Sequence, residues 1–181
     1  MYILRLNKAA MPQAWISPEE AAKYYCQNRV LFELGEAKQV LHGGWNKQGR
    51  QSVVELSSII ACEGKVVSGK GSISLCNVYL FRRDNHLCQY CAQKFRPCHL
   101  TRDHIIPRSK GGRDVWTNCA TACSRCNGHK ADRTPEQANM ALIAVPFAPN
   151  IYERFYLMNR RILGDQMAFL GSHFSANRIW V

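Results

Sequence analysis

Apolar and polar positions alternate at the start of the chain, Tyr2-Ile3-Leu4-Arg5-Leu6, which predicts a short strand. Ser17-Pro18-Glu19-Glu20 then joins a hydroxyl cap, a proline at the first helical position and an acid three residues after the cap. That pattern predicts a helix over residues 18–27. Apolar runs at 30–34, 39–41 and 53–62 predict further strands, punctuated by Gly43-Gly44 and Gly64. Residues 65–70, set among Gly64, Gly69 and Gly71, read as a flexible connection. A short helix is expected over 78–84, with Arg82 and Arg83 on its last turn, where the helix dipole favours cations. Thr134-Pro135-Glu136 gives another helix start. Ile151, Phe155, Met158 and Ile162 recur at helical spacing within 150–163, and 165–170 continues the pattern.

The expected organisation is α+β: an N-terminal α+β lobe over 1–80, a middle unit over 81–134, and a C-terminal helical segment over 135–181 that covers the middle unit. The chain has 181 residues, enough to bury a core, and 46% hydrophobic with 20% charged residues excludes a disordered composition. No window approaches the ~18 apolar residues of a membrane helix. Arg5 and Lys8 near the start, with no apolar run after them, do not make a signal peptide. A cytoplasmic protein without membrane partners is therefore expected.

Charge sharpens this picture. The formal net charge is +11, of which the middle 54 residues carry +7, against +3 before them and +1 after. Such a concentration is the footprint expected of a nucleic-acid partner.

The nine cysteines are an odd number, and a reducing compartment favours metal binding over pairing. Cys88-x-x-Cys91 and Cys123-x-x-Cys126 supply four thiolates in two tight pairs, the set a tetrahedral structural zinc requires. Cys98 beside His99 is a competing pair of ligands, and Cys119 lies four residues before Cys123; both read as packing residues. Cys26, Cys62 and Cys76 read as small core residues.

A plain zinc ribbon separates its pairs by about 15–20 residues. Here 31 intervene, among them Arg102-Asp103-His104-Ile105-Ile106-Pro107-Arg108-Ser109-Lys110-Gly111-Gly112, then Asn118, with Asn127 just after the second pair. This stretch resembles the HNH endonucleases, in the subgroup whose ββα-metal unit is braced by a four-cysteine zinc. The motif spans residues 83–133, and the C-terminal stretch is loosely similar to that of short bacterial HNH proteins.

The residue types suit that resemblance. Asp103 is a hard carboxylate beside the titratable His104, on a strand that Pro107 and Gly111-Gly112 end and turn. Asn127 and Lys130, three apart on a helix beginning near Ser124, share a face, so Asn127 is expected to reach Asp103 and Lys130 a phosphate. His129 is an alternative ligand if the helix is rotated by about half a turn. The resemblance implies phosphodiester hydrolysis with Mg²⁺ or Mn²⁺ held by Asp103 and Asn127, His104 as general base, and Asn118 fixing the loop and the imidazole. It also implies DNA, expected as duplex, as substrate, with 5′-phosphate and 3′-hydroxyl ends. Arg102, Arg108, Lys110, Arg113, Arg125 and Lys130 are the candidate phosphate contacts. Alternatives are a zinc-dependent nucleic-acid-binding protein with little activity and a nuclease acting on RNA or branched DNA.

Overall fold

The computed structural model describes residues 1–63, 73–158 and 161–175. The connection expected at 65–70 lies outside them. The chain divides into two compact units. Among described residues the first holds 1–63, 150–158 and 161–175, and the second 73–149.

The first unit is built on a four-stranded sheet of β1 (Ile3–Leu6), β2 (Pro12–Ile16), β3 (Val30–Trp45) and β4 (Gln51–Cys62), in the order β2-β1-β4-β3. β1 runs parallel to β4; the other pairs are antiparallel. The runs expected at 30–34 and 39–41 are one long strand, carried past a break in register between Leu34 and Lys38. α1 (Pro18–Cys26) starts on the expected capping box, with Ser17 Oγ accepting from Glu20 N and Glu20 accepting from Ser17 N. Cys26 ends this helix exposed, not in the core as expected.

Every residue of β4 from Leu56 to Cys62 is buried, because both faces of the sheet are covered. Ile3, Leu56 and Ile60 face Ala21 of α1, while Leu4, Leu6, Ile59 and Ala61 pack against Phe155 and Leu170. The latter two come from α4 (Ile151–Met158) and α5 (Gly164–Gly171). Each such fully buried aliphatic side chain contributes roughly 1.5–3 kcal/mol. Trp15 Nε1 donates to the Phe155 carbonyl at 3.0 Å, and the buried Gln166 amide donates to the carbonyls of Tyr2 and Ser58. Of the segment 135–181 expected to cover the middle unit, residues 135–149 lie in the second unit, whereas the apolar stripe of α4 and α5 packs on the N-terminal sheet.

The second unit is a ββα arrangement. α2 (Asn77–Arg83) leads into the first cysteine pair, β5 (Leu100–His104) and β6 (Cys119–Cys123) form an antiparallel hairpin, and α3 (Ser124–Lys130) follows β6 directly. The helix start expected at Thr134 is a set of turns, with Ala138 N bonded to the Thr134 carbonyl. Between the two strands the loop turns tightly at Gly111 (φ +83°). At Gly112 a β-carbon would stand 1.7 Å from the Ile106 carbonyl oxygen, so the close return of the backbone needs glycine.

Arg83 fixes this hairpin from inside. Its guanidinium is buried, pairs with Asp84 at 2.8 Å, and donates to the carbonyls of Trp116, Cys119 and Phe147. Asp84 in turn accepts from Thr121 N of β6. The cation on the last turn of α2 therefore serves the hairpin more than the helix dipole.

Candidate active site and zinc centre

Alternation along β5 divides its side chains between two environments. Thr101 and Asp103 meet α3: Asn127 Nδ2 donates to Thr101 Oγ1 at 2.9 Å, and Lys130 Nζ donates to Asp103 Oδ1 at 2.9 Å and to the His104 carbonyl at 2.7 Å. Arg102 and His104 instead meet Asp114 of the loop. The Arg102 guanidinium lies 2.6 Å from Asp114 Oδ2, and His104 Nε2 lies 2.9 Å from Asp114 Oδ1.

Asp114 is the residue that the sequence reading missed. It is the only carboxylate between Asp103 and Cys123, which was the available signal, but its pairing exists only once the loop has folded back. The Arg102 guanidinium, aided by His104, holds its carboxyl down at about 2. An ionised carboxylate only accepts hydrogen bonds, so His104 carries its ring proton on Nε2 and keeps the lone pair of its neutral form on Nδ1. The buried Cys119 thiol also donates to Asp114 Oδ1, at 3.5 Å; burial first, then that carboxylate, pushes it up to about 12. His104, Asp114 and Cys119 form a compact three-ligand group.

Asn118 braces the loop. Its side chain accepts from Ile106 N and donates to the carbonyls of Ile106 and Arg113, closing the segment that carries Asp114.

Asp103 is only 3% exposed, and both its oxygens are engaged, Oδ1 by Lys130 and Oδ2 by the Tyr90 hydroxyl. Burial first, then Asp103, pushes the Tyr90 hydroxyl up, so it remains a donor. The oxygen donors of Asp103 and Asn127 suit a hard cation in kind, but their arrangement does not: an ammonium already occupies the carboxylate, and the Asn127 amide is turned to Thr101. Lys130 is fully buried, which corrects its expected role at a phosphate. Arg108, Lys110, Arg113 and Arg125 are exposed; Arg102 is taken by Asp114. His129 is exposed on α3.

The four knuckle cysteines converge as expected, with the sulfurs of Cys88, Cys91, Cys123 and Cys126 all within 4.8 Å of one another. Tetrahedral zinc with bonds of about 2.3 Å needs sulfurs about 3.8 Å apart, so the set fits. Cys126 N donates to Cys123 Sγ at 3.4 Å, a bond that favours thiolate. Burial raises Cys88, but backbone hydrogen bonds from Cys123, Cys91 and Tyr90 outweigh it and bring the thiol down to about 7. Burial, then the neighbouring sulfurs, pushes Cys126 up. A divalent cation relieves that crowding of negative charge. Cys98 and His99 lie outside the cluster.

No helix of the described residues is long and apolar enough to cross a membrane. No curated protein matches the chain. Residues 88–143, which hold both knuckles, the hairpin and α3, match the family model of the HNH endonucleases, and this agrees with the resemblance read from the sequence.

Proposed function

We propose that this chain is a metal-dependent endonuclease that hydrolyses phosphodiester bonds in duplex DNA and leaves 5′-phosphate and 3′-hydroxyl ends. The observation that carries the reading is the His104–Asp114 pair at 2.9 Å within the unit that matches the HNH model. His104 Nδ1 takes a proton from a water, the water oxygen bonds to phosphorus as the P–O3′ bond breaks, and the leaving 3′ oxygen takes a proton from solvent to become the 3′-hydroxyl. Asp114 holds the ring and stabilises the imidazolium that forms. Asn118 positions the loop, and Arg108, Lys110, Arg113 and Arg125 supply cations for the backbone phosphates. Zinc on the four cysteines is structural.

Divalent-cation dependence comes from the family, and Mg²⁺ or Mn²⁺ would act as a Lewis acid on the phosphate and the leaving oxygen. The resemblance implies Asp103 and Asn127 as ligands of this ion, but Lys130 and Tyr90 engage the carboxylate and Asn127 is turned to Thr101, so neither is proposed to hold it. The site is proposed to work in the cytoplasm.

The engaged state of Asp103 favours a second reading, a zinc-dependent nucleic-acid-binding protein with little activity. Incubation of supercoiled plasmid with and without Mg²⁺ or Mn²⁺, with His104→Ala alongside, separates the two. Cleavage that needs both the ion and His104 supports the nuclease; binding in EDTA with no cleavage in either ion supports the second reading. Matched RNA and branched substrates test the substrate class.

A further inference from the structure

The distal part of the β3–β4 hairpin has no role in the chemistry above. Its proximal pairs are anchored: Leu41 and Val54 pack against the core of the first unit. Beyond them all nine residues from His42 to Arg50 are exposed, yet the hairpin stays ordered. Asn46 Oδ1 accepts from both Gln48 N and Arg50 N, and Asn46 N donates to the Arg50 carbonyl. Gly49 takes the positive φ (+72°) that such a turn demands. Gln51 Nε2 donates to the Gly43 carbonyl and Ser52 Oγ to that of Gly44, tying the two strands just below the turn.

This braced tip carries unusual side chains. Trp45 is 70% exposed, so its ring contributes little to the core. Lys47 and Arg50 follow it in the turn and are exposed, as is His42 three residues before it on β3. No acidic residue occurs between Glu36 and Glu55. A two-stranded ribbon that carries Trp45, Lys47 and Arg50 at its exposed tip, with no acid between Glu36 and Glu55, is complementary to a polyanion. The major groove of duplex DNA, about 12 Å wide, admits such a ribbon.

We propose that residues 38–53 form an arm that docks into the major groove of duplex DNA, with Lys47 and Arg50 on backbone phosphates and Trp45 against the base edges. This rests on the nucleic-acid reading of the second unit and adds a binding element that lies outside it. The ordered turn lowers the conformational cost of docking, because the arm need not be fixed on binding.

The test uses the full chain in the His104→Ala background, so that bound DNA stays intact, and a fluorescent duplex titrated at several salt concentrations. Trp45→Ala is expected to weaken binding about tenfold, the lower part of the range for a base-edge contact in the major groove. Lys47→Ala with Arg50→Ala is expected to lower the salt slope by about 1.8, from about 0.9 per phosphate. Unchanged affinity and slope in both variants would overturn the arm, whereas metal-dependent plasmid cleavage by the His104 protein keeps the nuclease reading standing independently. A parent that binds no duplex would also overturn it, and absent cleavage would then remove the nuclease reading too. If Trp45→Ala instead converts a dimer to a monomer in sedimentation and leaves per-chain affinity unchanged, the tip is an interface between copies and the proposal fails. Because these side chains are exposed, melting curves of all variants should superimpose on the parent's.

Discussion

Asp114 Oδ1 lies 2.9 Å from His104 Nε2 while Arg102 holds the other carboxylate oxygen at 2.6 Å. The three form a chain in which a cation keeps a carboxylate ionised and the carboxylate keeps an imidazole in one tautomer. Asp114→Asn removes the charge but keeps the size, so the ring loses its fixed proton position. Activity against plasmid should fall about 10- to 100-fold in kcat with KM little changed, the effect typical of a lost orienting group. His104→Ala should abolish cleavage with zinc content intact. A variant Asp114→Asn that cleaves at the parent's rate would refute the positioning role.

The same pair sets a pH signature in stability. Because Asp114 is depressed from 3.8 to about 2 in the folded chain, its contribution is fully present above its ordinary value and is lost as pH falls through about 2. The difference in melting temperature between the parent and Asp114→Asn should be constant above about pH 4 and close toward pH 2. Asp114 is exposed, so the difference is small and shrinks with added salt. A gap that stays open at pH 2 would contradict the hold of Arg102 on this carboxylate.

What the sequence made legible was local and periodic. The two C-x-x-C knuckles have a fixed spacing that only a metal exploits, and the Ser17 box announces its own helix. The hairpin and α3 follow from Pro107, the glycine pair and the knuckle that caps the helix. Asp114 was not legible, because nothing in its neighbours announces a partner ten residues away. Alternation along β5 turns Asp103 to α3 and His104 to the loop, a consequence of the strand and not of the motif. For 150–175 the helical stripe was visible but the surface it covers was not, since an apolar face carries no address. Of the two long strands, the apolar run of β4 was plain, whereas β3 was broken by polar and glycine residues that its exposed outer stretch tolerates.

Lys130 gives the sharpest contrast between the two roles open to a lysine on α3. It is fully buried, between Asp103 Oδ1 and the His104 carbonyl. Lys130→Met strands a buried carboxylate, a change that costs about 3–5 kcal/mol. The melting transition of the second unit should drop by about 10 °C or more, given about 4–8 °C per kcal/mol for a unit of this size. Adding Asp103→Leu should restore part of that loss, since the stranded charge goes with it. A phosphate contact behaves differently: the melting curve would hold and the salt dependence of DNA binding would weaken.

Zinc should hold the second unit together, because its four ligands join the segment before β5 to the junction of β6 and α3. Cys91→Ser removes one thiolate from an exposed position where little packing is lost, so any destabilisation reports the metal. The variant should carry little zinc by elemental analysis and melt well below the parent, as should the parent after treatment with a strong chelator. Cys98→Ser is the matched control: it is equally exposed, lies seven residues further on and is outside the cluster, so zinc and melting should be unchanged. If Cys98→Ser loses the metal and Cys91→Ser keeps it, the ligand set is wrong. If both keep the metal and the melting temperature, the cluster does not bind zinc in the manner its geometry implies.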